Sequence, residues 1–345
     1  MKHESKQTSG HPNTSPLSGS PGTIDHPCVW QGEELRKRSD WNQLISPLEQ
    51  AEFERLTDKT SIDETPRLKQ RCLSIQQSLE NGSGGVHLQG LKIANHSTEK
   101  LSKAFLKIAQ AIGHPISQSA TGEQILSVRN AGYADEDPRA RGPNTRKKLS
   151  FHTDRCDVIG FLCIHQARSG GENQVVSSAA LYNEMHVQHP ELLAVLMQPF
   201  YYQRHNVDTA NELPYTQQPV FSIYQGHFAA NFLRVLIERA HANPDLPSLS
   251  AEQKQALDCL EAIAAKPEMH FTFRQQPGDI LFLNNWVTFH RRTEFDDHED
   301  PELKRHILRA WLSMPNSRPL DPLFAGNYGD TRAGAIRGGM RAQSP

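Results

Sequence analysis

A histidine and an aspartate stand two residues apart in the stretch SFHTDR, residues 150–155. Side chains two apart on an extended chain point to the same side, so His152 and Asp154 would project together. A neutral imidazole and a carboxylate on one face can bind a divalent metal ion. Phe151 and Thr153 would then support this pair by packing. Because two ligands do not complete a metal site, the pattern predicts a third ligand elsewhere in the chain.

The third candidate ligand is His290, which lies in PGDILFLNNWVTFHRRTEF. It follows a turn and a short apolar strand, and its apolar neighbours are typical of the rim of an enclosed site. The chain has 17 histidines, and we expect most of them to be surface or hydrogen-bonded core residues. Two histidines and one carboxylate leave three coordination positions open, as in non-haem Fe(II) oxygenases, whereas four protein ligands usually close a structural zinc site.

Two arginines occur four residues apart in the predicted strand KRHILRAWL. Strand alternation places Arg305 and Arg309 on the same face. A buried arginine without an anionic partner is destabilising, so this face meets either solvent or anions. A guanidinium can bind a carboxylate through two parallel hydrogen bonds. If the face lines the same cavity as His290, the arginines suit a dicarboxylate co-substrate.

Three helices and four strands are predicted to position these residues. The helices lie in TPRLKQRCLSIQQSLENG, STEKLSKAFLKIAQAIGHP and SLSAEQKQALDCLEAIAAKP, where apolar residues recur at helical spacing beside capping or stop signals. The strands lie in DVIGFLCIH, EMHFTFRQ, ILFL and KRHILRAWLSMP. No regular βαβ rhythm and no glycine-rich phosphate loop occur, which favours a β-rich core with helices outside over a nucleotide-binding α/β fold.

Composition narrows the class of function. The 345 residues include 37 basic and 39 acidic side chains, which indicates neither a nucleic-acid surface nor a polybasic membrane patch, and no apolar run is long enough for a membrane span. Five dispersed cysteines predict free, buried thiols in a reducing, cytoplasmic compartment. Residues 1–27 are polar and rich in Ser, Pro and Gly, and they are predicted to form a disordered tail before a single domain over 28–345.

Taken together and in this order, the motifs resemble the TauD/TfdA family of Fe(II)- and 2-oxoglutarate-dependent dioxygenases, close to its clavaminate-synthase-like branch. The likeness runs from LSVRNAGY to LSMPNSRPL and is carried by FHTD, SGGENQVVSSAALYNEM, PGDILFLNNWVTFHRRTEF and RHILRAWL. It implies an α+β fold, with a double-stranded β-helix (jelly-roll) core and surrounding helices. It also implies Fe(II) bound by His152, Asp154 and His290.

The resemblance further implies how small molecules bind. Arg305 would bind the distal carboxylate of 2-oxoglutarate, and Arg309 would meet the primary substrate. Asn173 stands where family members commonly have Thr or Ser that helps to hold 2-oxoglutarate, and its amide can donate the same hydrogen bond. The implied reaction uses O2, releases succinate and CO2, and by default hydroxylates the substrate. If Arg309 faces the cavity, its charge favours a small anionic substrate such as an amino acid or a carboxylic acid.

Two other functions remain open from the residues themselves. One is a zinc-dependent hydrolase with the same three ligands, which would need neither O2 nor 2-oxoglutarate, although the sequence has no H-E-x-x-H motif. The other is a catalytically silent binding protein on the same barrel, although such a protein has little need of three ligands and two arginines. The sequence does not indicate an oligomeric state.

Overall fold

The structure is a computed structural model that describes residues 22–58, 60–133, 144–204 and 213–340. Within these ranges the strands are β1 (Asn42–Leu44), β2 (Gly85–Gln89), β3 (His114–Ile116), β4 (Ile125–Val128), β5 (Val158–His165), β6 (Ser169–Gly170), β7 (Asn173–Ser177), β8 (Phe200–Gln203), β9 (Tyr215–Gln218), β10 (Phe221–Tyr224), β11 (His227–Ala230), β12 (His270–Phe273), β13 (Ile280–Asn284), β14 (Thr288–Arg292), β15 (Phe295–Asp296) and β16 (His306–Ser313). The helices are α1 (Gly32–Arg36), α2 (Pro47–Leu56), α3 (Pro66–Asn81), α4 (Thr98–Ile112), α5 (Ser178–Gln188), α6 (Pro190–Leu196), α7 (Arg234–His241), α8 (Ala251–Ala265) and α9 (Ala325–Tyr328).

Two sheets carry the parts of the chain that matter for the site. The larger sheet has the order β1-β2-β13-β5-β16-β3, with β4 also paired to β16. Its strands are antiparallel except for the parallel pair β1 and β2. The smaller sheet is antiparallel and has the order β12-β7-β14. The fold therefore contains both sheets and helices, and this confirms the coarse fold class that the sequence predicts.

Alternate side chains of β5 enter two different hydrophobic layers. Ile159 packs in a cluster that also contains Val175 of the smaller sheet, so the two sheets face each other across this layer. Val158 and Leu162 point the other way and pack with residues of α2, α3 and α4. Because both faces of β5 are buried, its sequence is a nearly continuous apolar run. Helices α5, α6 and α8 cover the outer side of the smaller sheet.

The helices and strands that the local sequence predicts are confirmed. Helix α3 begins after Thr65 and ends at Asn81, just before Gly82, and α8 begins with a capping box between Ser250 and Gln253. Helix α2 was not predicted, although Ser46 and Glu49 form a capping box of the same kind at its start. The start signal of α2 was therefore present in the sequence, but the segment after it is short and its apolar residues follow the helical spacing only weakly.

The described part of the chain begins inside the segment that is predicted as a tail over residues 1–27. Residues 1–21 lie outside the described part of the chain, but the residues just before Cys28 are packed against α5. Ile24 is buried, its backbone N–H donates to the side-chain oxygen of Asn183 at 2.8 Å, and its carbonyl accepts from the same amide at 2.8 Å.

All five cysteines are free, and four of them are buried while Cys259 is partly exposed. No helix within the described ranges combines the length and the apolar character needed to cross a bilayer.

We expect stability to fall as the pH drops from about 6.5 to 4, in part through His306 at the start of β16. Its Nδ1 accepts a hydrogen bond from Arg129 at 2.6 Å and its Nε2 bonds Ser127 at 3.0 Å. Burial, and then the charge of Arg129, lower its pKa to about 4, whereas an unfolded histidine titrates near 6.5. Between these values the unfolded chain binds more protons, so acid favours unfolding by up to about 1.4 kcal/mol per pH unit for this group.

Urea unfolding of the metal-free protein at a series of pH values checks this expectation. His306→Gln should flatten the dependence of unfolding free energy on pH in that window. Part of the slope should remain, because burial also lowers the pKa of His26 to about 4. Equal slopes for the wild type and the variant would contradict the prediction.

Candidate metal centre

Three side chains that the sequence singled out lie together between the two sheets. One ligand atom each from His152, Asp154 and His290 lies within 4.8 Å of the other two, and no other such cluster occurs in the described part of the chain. Oδ2 of Asp154 is 3.3 Å from Nε2 of His290 and 3.8 Å from Nε2 of His152. Donor atoms on adjacent positions of a metal with bonds of about 2.1 Å lie about 3 Å apart, so this cluster needs only a small contraction to bind an ion.

The way in which His152 and Asp154 meet differs from the extended chain considered for residues 150–155. His152 forms an isolated antiparallel bridge with His290 of β14, in which the two residues exchange backbone hydrogen bonds of 3.0 and 3.1 Å. After this bridge the chain forms a loop, which places Asp154 beside the two histidines. Strand β5 begins after the loop, at Val158. The two imidazole rings are 4.5 Å apart because they lie directly opposite each other in the bridge.

The loop that carries Asp154 is held by side chains that sequence reasoning missed. Asn285, which is buried, accepts a hydrogen bond from the backbone N–H of Asp154 at 3.0 Å and donates to the carbonyl of Cys156 at 3.1 Å. The hydroxyl of Tyr328 donates to the carbonyl of Asp154 at 3.4 Å. Asn285 lies within PGDILFLNNWVTFHRRTEF, so a polar residue after a buried strand was an available signal. Tyr328 lies far along the chain and had none.

Thr153, between the two predicted ligands, is also fixed by its neighbours. Its hydroxyl oxygen accepts hydrogen bonds from the side chain of Asn231 and from the backbone of Phe232, both at 3.1 Å. Phe151 is buried beneath the guanidinium of Arg291, which lies 4.1 Å from the ring centre. Both residues therefore support the loop by packing or hydrogen bonding.

The protonation states of His152 and Asp154 suit a metal ion. Burial, and then the neighbouring His290, lower the pKa of His152 to about 4. Its Nδ1 bonds the carbonyl of Ser150 at 2.9 Å, so the neutral ring carries its lone pair on Nε2. Burial opposes ionisation of Asp154, but the hydrogen bond from His290 and the charge of Arg309 outweigh it, and the pKa of this carboxyl lies well below its usual range. A neutral imidazole and a carboxylate are the forms that bind metals.

Arg309 of β16 lies beside the cluster. Its Nη1 is 3.4 Å from Oδ1 of Asp154, and its Nε donates to Gln118 at 2.7 Å. Its guanidinium lies 4.8 Å from the ring centre of Trp311. The side chain is only 11% exposed, so the alternative of a solvated arginine face is wrong at this position.

Arg305 is buried and lacks an acidic partner in the described part of the chain. It is 5% exposed, its Nε has no hydrogen-bond partner, and its guanidinium lies 5.3 Å from the ring centre of Phe295. Asp297 bonds only its backbone N–H, at 2.8 Å. Burial lowers the pKa of Arg305 to about 10, which leaves it charged at neutral pH. An unpaired buried cation is destabilising unless an anion binds it, which fits a carboxylate ligand.

Asn173 is the first residue of β7, and one N–H of its side-chain amide already makes a hydrogen bond within the protein. Nδ2 donates to the side-chain oxygen of Gln275 at 3.1 Å. The amide nitrogen carries a second hydrogen, so its predicted contact with 2-oxoglutarate stays a prediction. The structure brings together the three predicted metal ligands and Arg309.

The sequence matches one protein-family model and is similar to several characterised proteins. The family model described as "Taurine catabolism dioxygenase TauD, TfdA family" matches residues 45–311. FR-33289 synthase of Streptomyces rubellomurinus is 27% identical over 309 residues, which span 84% of this chain and 90% of that protein. A taurine hydroxylase-like protein of Stachybotrys chartarum is 24% identical over 336 residues, covering 88% of this chain and 85% of its own.

A solved structure shares the fold. The structure of asparagine oxygenase in complex with Fe(II), 2S,3S-3-hydroxyasparagine and succinate superposes with a TM-score of 0.61 at 16% identity, over 79% of this chain and 93% of that one. The family match covers well over half of the chain, and it favours the oxygenase over both a zinc hydrolase and a silent binding protein. The chain belongs to the TauD/TfdA family and is a 2-oxoglutarate-dependent non-haem iron dioxygenase.

Proposed function

We propose that this dioxygenase binds Fe(II) through His152, Asp154 and His290 and hydroxylates a small anionic substrate, an amino acid or a carboxylic acid. The observation that carries the proposal is the convergence of these three side chains within 4.8 Å of one another. No further His, Cys, Asp or Glu joins them in the described ranges, so coordination positions remain for small molecules.

Iron and 2-oxoglutarate supply the oxidising chemistry, in which O2 is reduced, the co-substrate leaves as succinate and CO2, and a C–H bond becomes C–OH. The protein's part is to offer ligands in the correct protonation state and to exclude water. His152 presents its Nε2 lone pair because Nδ1 is held by the carbonyl of Ser150. Asp154 stays ionised, and its backbone is fixed by Asn285.

Arg305 is the proposed partner for the distal carboxylate of 2-oxoglutarate, and Asn173 is proposed to assist it. The support is the buried Arg305 guanidinium, which has no anionic partner in the described part of the chain. A carboxylate bound there would neutralise the charge and satisfy its N–H donors.

Arg309 is proposed to meet an anionic group of the substrate. Its Nη2 makes no hydrogen bond within the part of the chain that the structure describes, whereas Nε and Nη1 are both occupied. With Fe(II), doubly charged 2-oxoglutarate, Asp154 and the two arginines present, the site would keep one net positive charge, and this favours an anion. The asparagine oxygenase structure contains a hydroxylated amino acid, which makes amino acids the first class to test.

The remaining features of the proposal concern the molecule as a whole. Two facing, largely antiparallel sheets support a double-stranded β-helix (jelly-roll) core. A single domain over most of the chain is supported by hydrophobic layers that connect both sheets to their helices. Five free cysteines support a cytoplasmic location, and the nearly balanced charge supports a small-molecule substrate over nucleic acid or a membrane surface.

The proposal is tested by screening amino acids and small carboxylic acids with the protein, Fe(II), 2-oxoglutarate and O2. A substrate should raise succinate release and yield a product heavier by one oxygen atom in mass spectrometry. Omitting O2 or 2-oxoglutarate should stop product formation. Product formation that continues without both, with Zn(II) in place of iron, would contradict the proposal and restore the hydrolase.

A further inference from the structure

A buried glutamine outside the ligand set, Gln118, has its side chain fixed in one orientation. It follows β3 and is 3% exposed. Its Nε2 donates to the carbonyl of Gln124 at 2.9 Å and to the carbonyl of Arg309 at 2.8 Å. A flipped amide would set its own oxygen against both carbonyls, so Oε1 must point the other way. There it accepts a hydrogen bond of 2.7 Å from Nε of Arg309.

The fixed amide in turn fixes the plane of the Arg309 guanidinium. Nε is held by Gln118, and one face of the group lies over Trp311 at 4.8 Å. A guanidinium is planar and rigid, so these two contacts also set the position of Nη1. Nη1 lies 3.4 Å from Oδ1 of Asp154.

The two oxygens of Asp154 therefore have different surroundings. Oδ1 faces Arg309, while Oδ2 faces Nε2 of His290 at 3.3 Å and Nε2 of His152 at 3.8 Å. Oδ2 is thus the oxygen that lies beside both imidazoles. A carboxylate that turned and bound an ion through both oxygens would use a coordination position that the co-substrate or O2 requires.

We propose that Gln118 is a positioning residue that acts through Arg309 to hold the Asp154 carboxylate with Oδ2 toward the metal and Oδ1 away from it. This inference rests on the proposed metal site. It adds to the predicted substrate contact of Arg309 and does not replace it, because Nη2 takes no part in the arrangement.

Titration of the metal-free protein with Co(II), followed by the visible d–d absorption of the bound ion, tests the inference without any turnover. Gln118→Met keeps the length of the side chain but removes the amide. Since loss of an outer partner typically weakens metal binding 10- to 100-fold, we expect its Co(II) affinity to fall by about ten-fold and its d–d spectrum to change. Arg309→Lys should do the same, because one ammonium group cannot hold both Gln118 and Asp154 in the same geometry.

The double variant Gln118→Met with Arg309→Lys separates positioning from general loss of stability. If Gln118 acts through Arg309, the double variant should bind Co(II) about as well as Arg309→Lys alone. Gln76→Met is the matched control, since Gln76 bonds the carbonyl of Ile112 at 2.6 Å in a different part of the fold; its Co(II) affinity and spectrum should equal those of the wild type.

Unchanged Co(II) affinity and spectrum in Gln118→Met, or independent effects that multiply in the double variant, would overturn the inference. If Gln118→Met does not fold, Arg309→Lys alone decides, and wild-type affinity in that variant overturns it. Failure of the metal site itself gives a different result. In that case Co(II) would either not bind the wild-type protein or bind His152→Ala equally well.

Discussion

Asp154→Ala is expected to reduce substrate-dependent succinate formation by more than about a hundred-fold, because loss of even an outer partner of a metal ligand costs 10- to 100-fold. The substitution removes one of the three proposed ligands and leaves only the imidazoles of His152 and His290 to bind the ion. It also leaves Arg309, which is 11% exposed, without its anionic partner. Steady-state assays by mass spectrometry, with a Co(II) titration beside them, measure both losses.

The fold should survive this substitution, because the backbone of Asp154 keeps its hydrogen bonds to Asn285 and Tyr328. Circular dichroism and thermal unfolding of the metal-free variant check this point. Asp63→Ala serves as the charge-matched control, since it removes an exposed carboxylate paired with Lys69 and should keep full turnover. An Asp154→Ala enzyme with wild-type turnover in Fe(II) would refute the ligand assignment.

The parts of the fold that could be predicted from sequence are those whose burial pattern is local. Helix α3 lies between Thr65 and Gly82 and buries Leu68, Cys72 and Ile75 at helical spacing, so its sequence contains its own boundaries. The order of the strands is different in kind. Ile280 of β13 pairs with both Leu88 and Leu162, and no local period encodes neighbours so far apart in the chain.

The candidate site divides in the same way. The ligand types could be recognised because a metal restricts them to imidazole and carboxylate, although the strand geometry invoked for His152 and Asp154 is replaced by a bridge and a loop. Gln118 could not be recognised, since a single amide has no chemical signature, whereas Asn285 had only its place after a buried strand as a signal. Gln118 acquires its role only by meeting a residue 191 positions away, and this contact is a product of the tertiary fold.

Arg305→Met should separate stability from co-substrate binding. The guanidinium is buried without an anionic partner in the described chain, so replacing it by an apolar side chain of similar length should leave the metal-free protein as stable as the wild type or more stable. The KM for 2-oxoglutarate should nevertheless rise, because a charge-assisted hydrogen bond is worth about 1.5–3 kcal/mol, or roughly 10- to 100-fold. Thermal unfolding with and without 2-oxoglutarate, together with KM, measures both effects.

Arg292→Met is the instructive contrast, because Arg292 is buried to a similar degree but donates to the backbone carbonyls of Thr145, Arg146, Lys147 and Thr293. Removing it leaves these carbonyls without their donor, so this variant should lose stability. The two substitutions are therefore expected to change stability in opposite directions. The protein itself supplies hydrogen-bond acceptors to Arg292, whereas Arg305 is proposed to receive its acceptor from the bound co-substrate. If Arg305→Met destabilises the metal-free protein and leaves the KM for 2-oxoglutarate unchanged, Arg305 is a structural residue and the co-substrate carboxylate binds elsewhere.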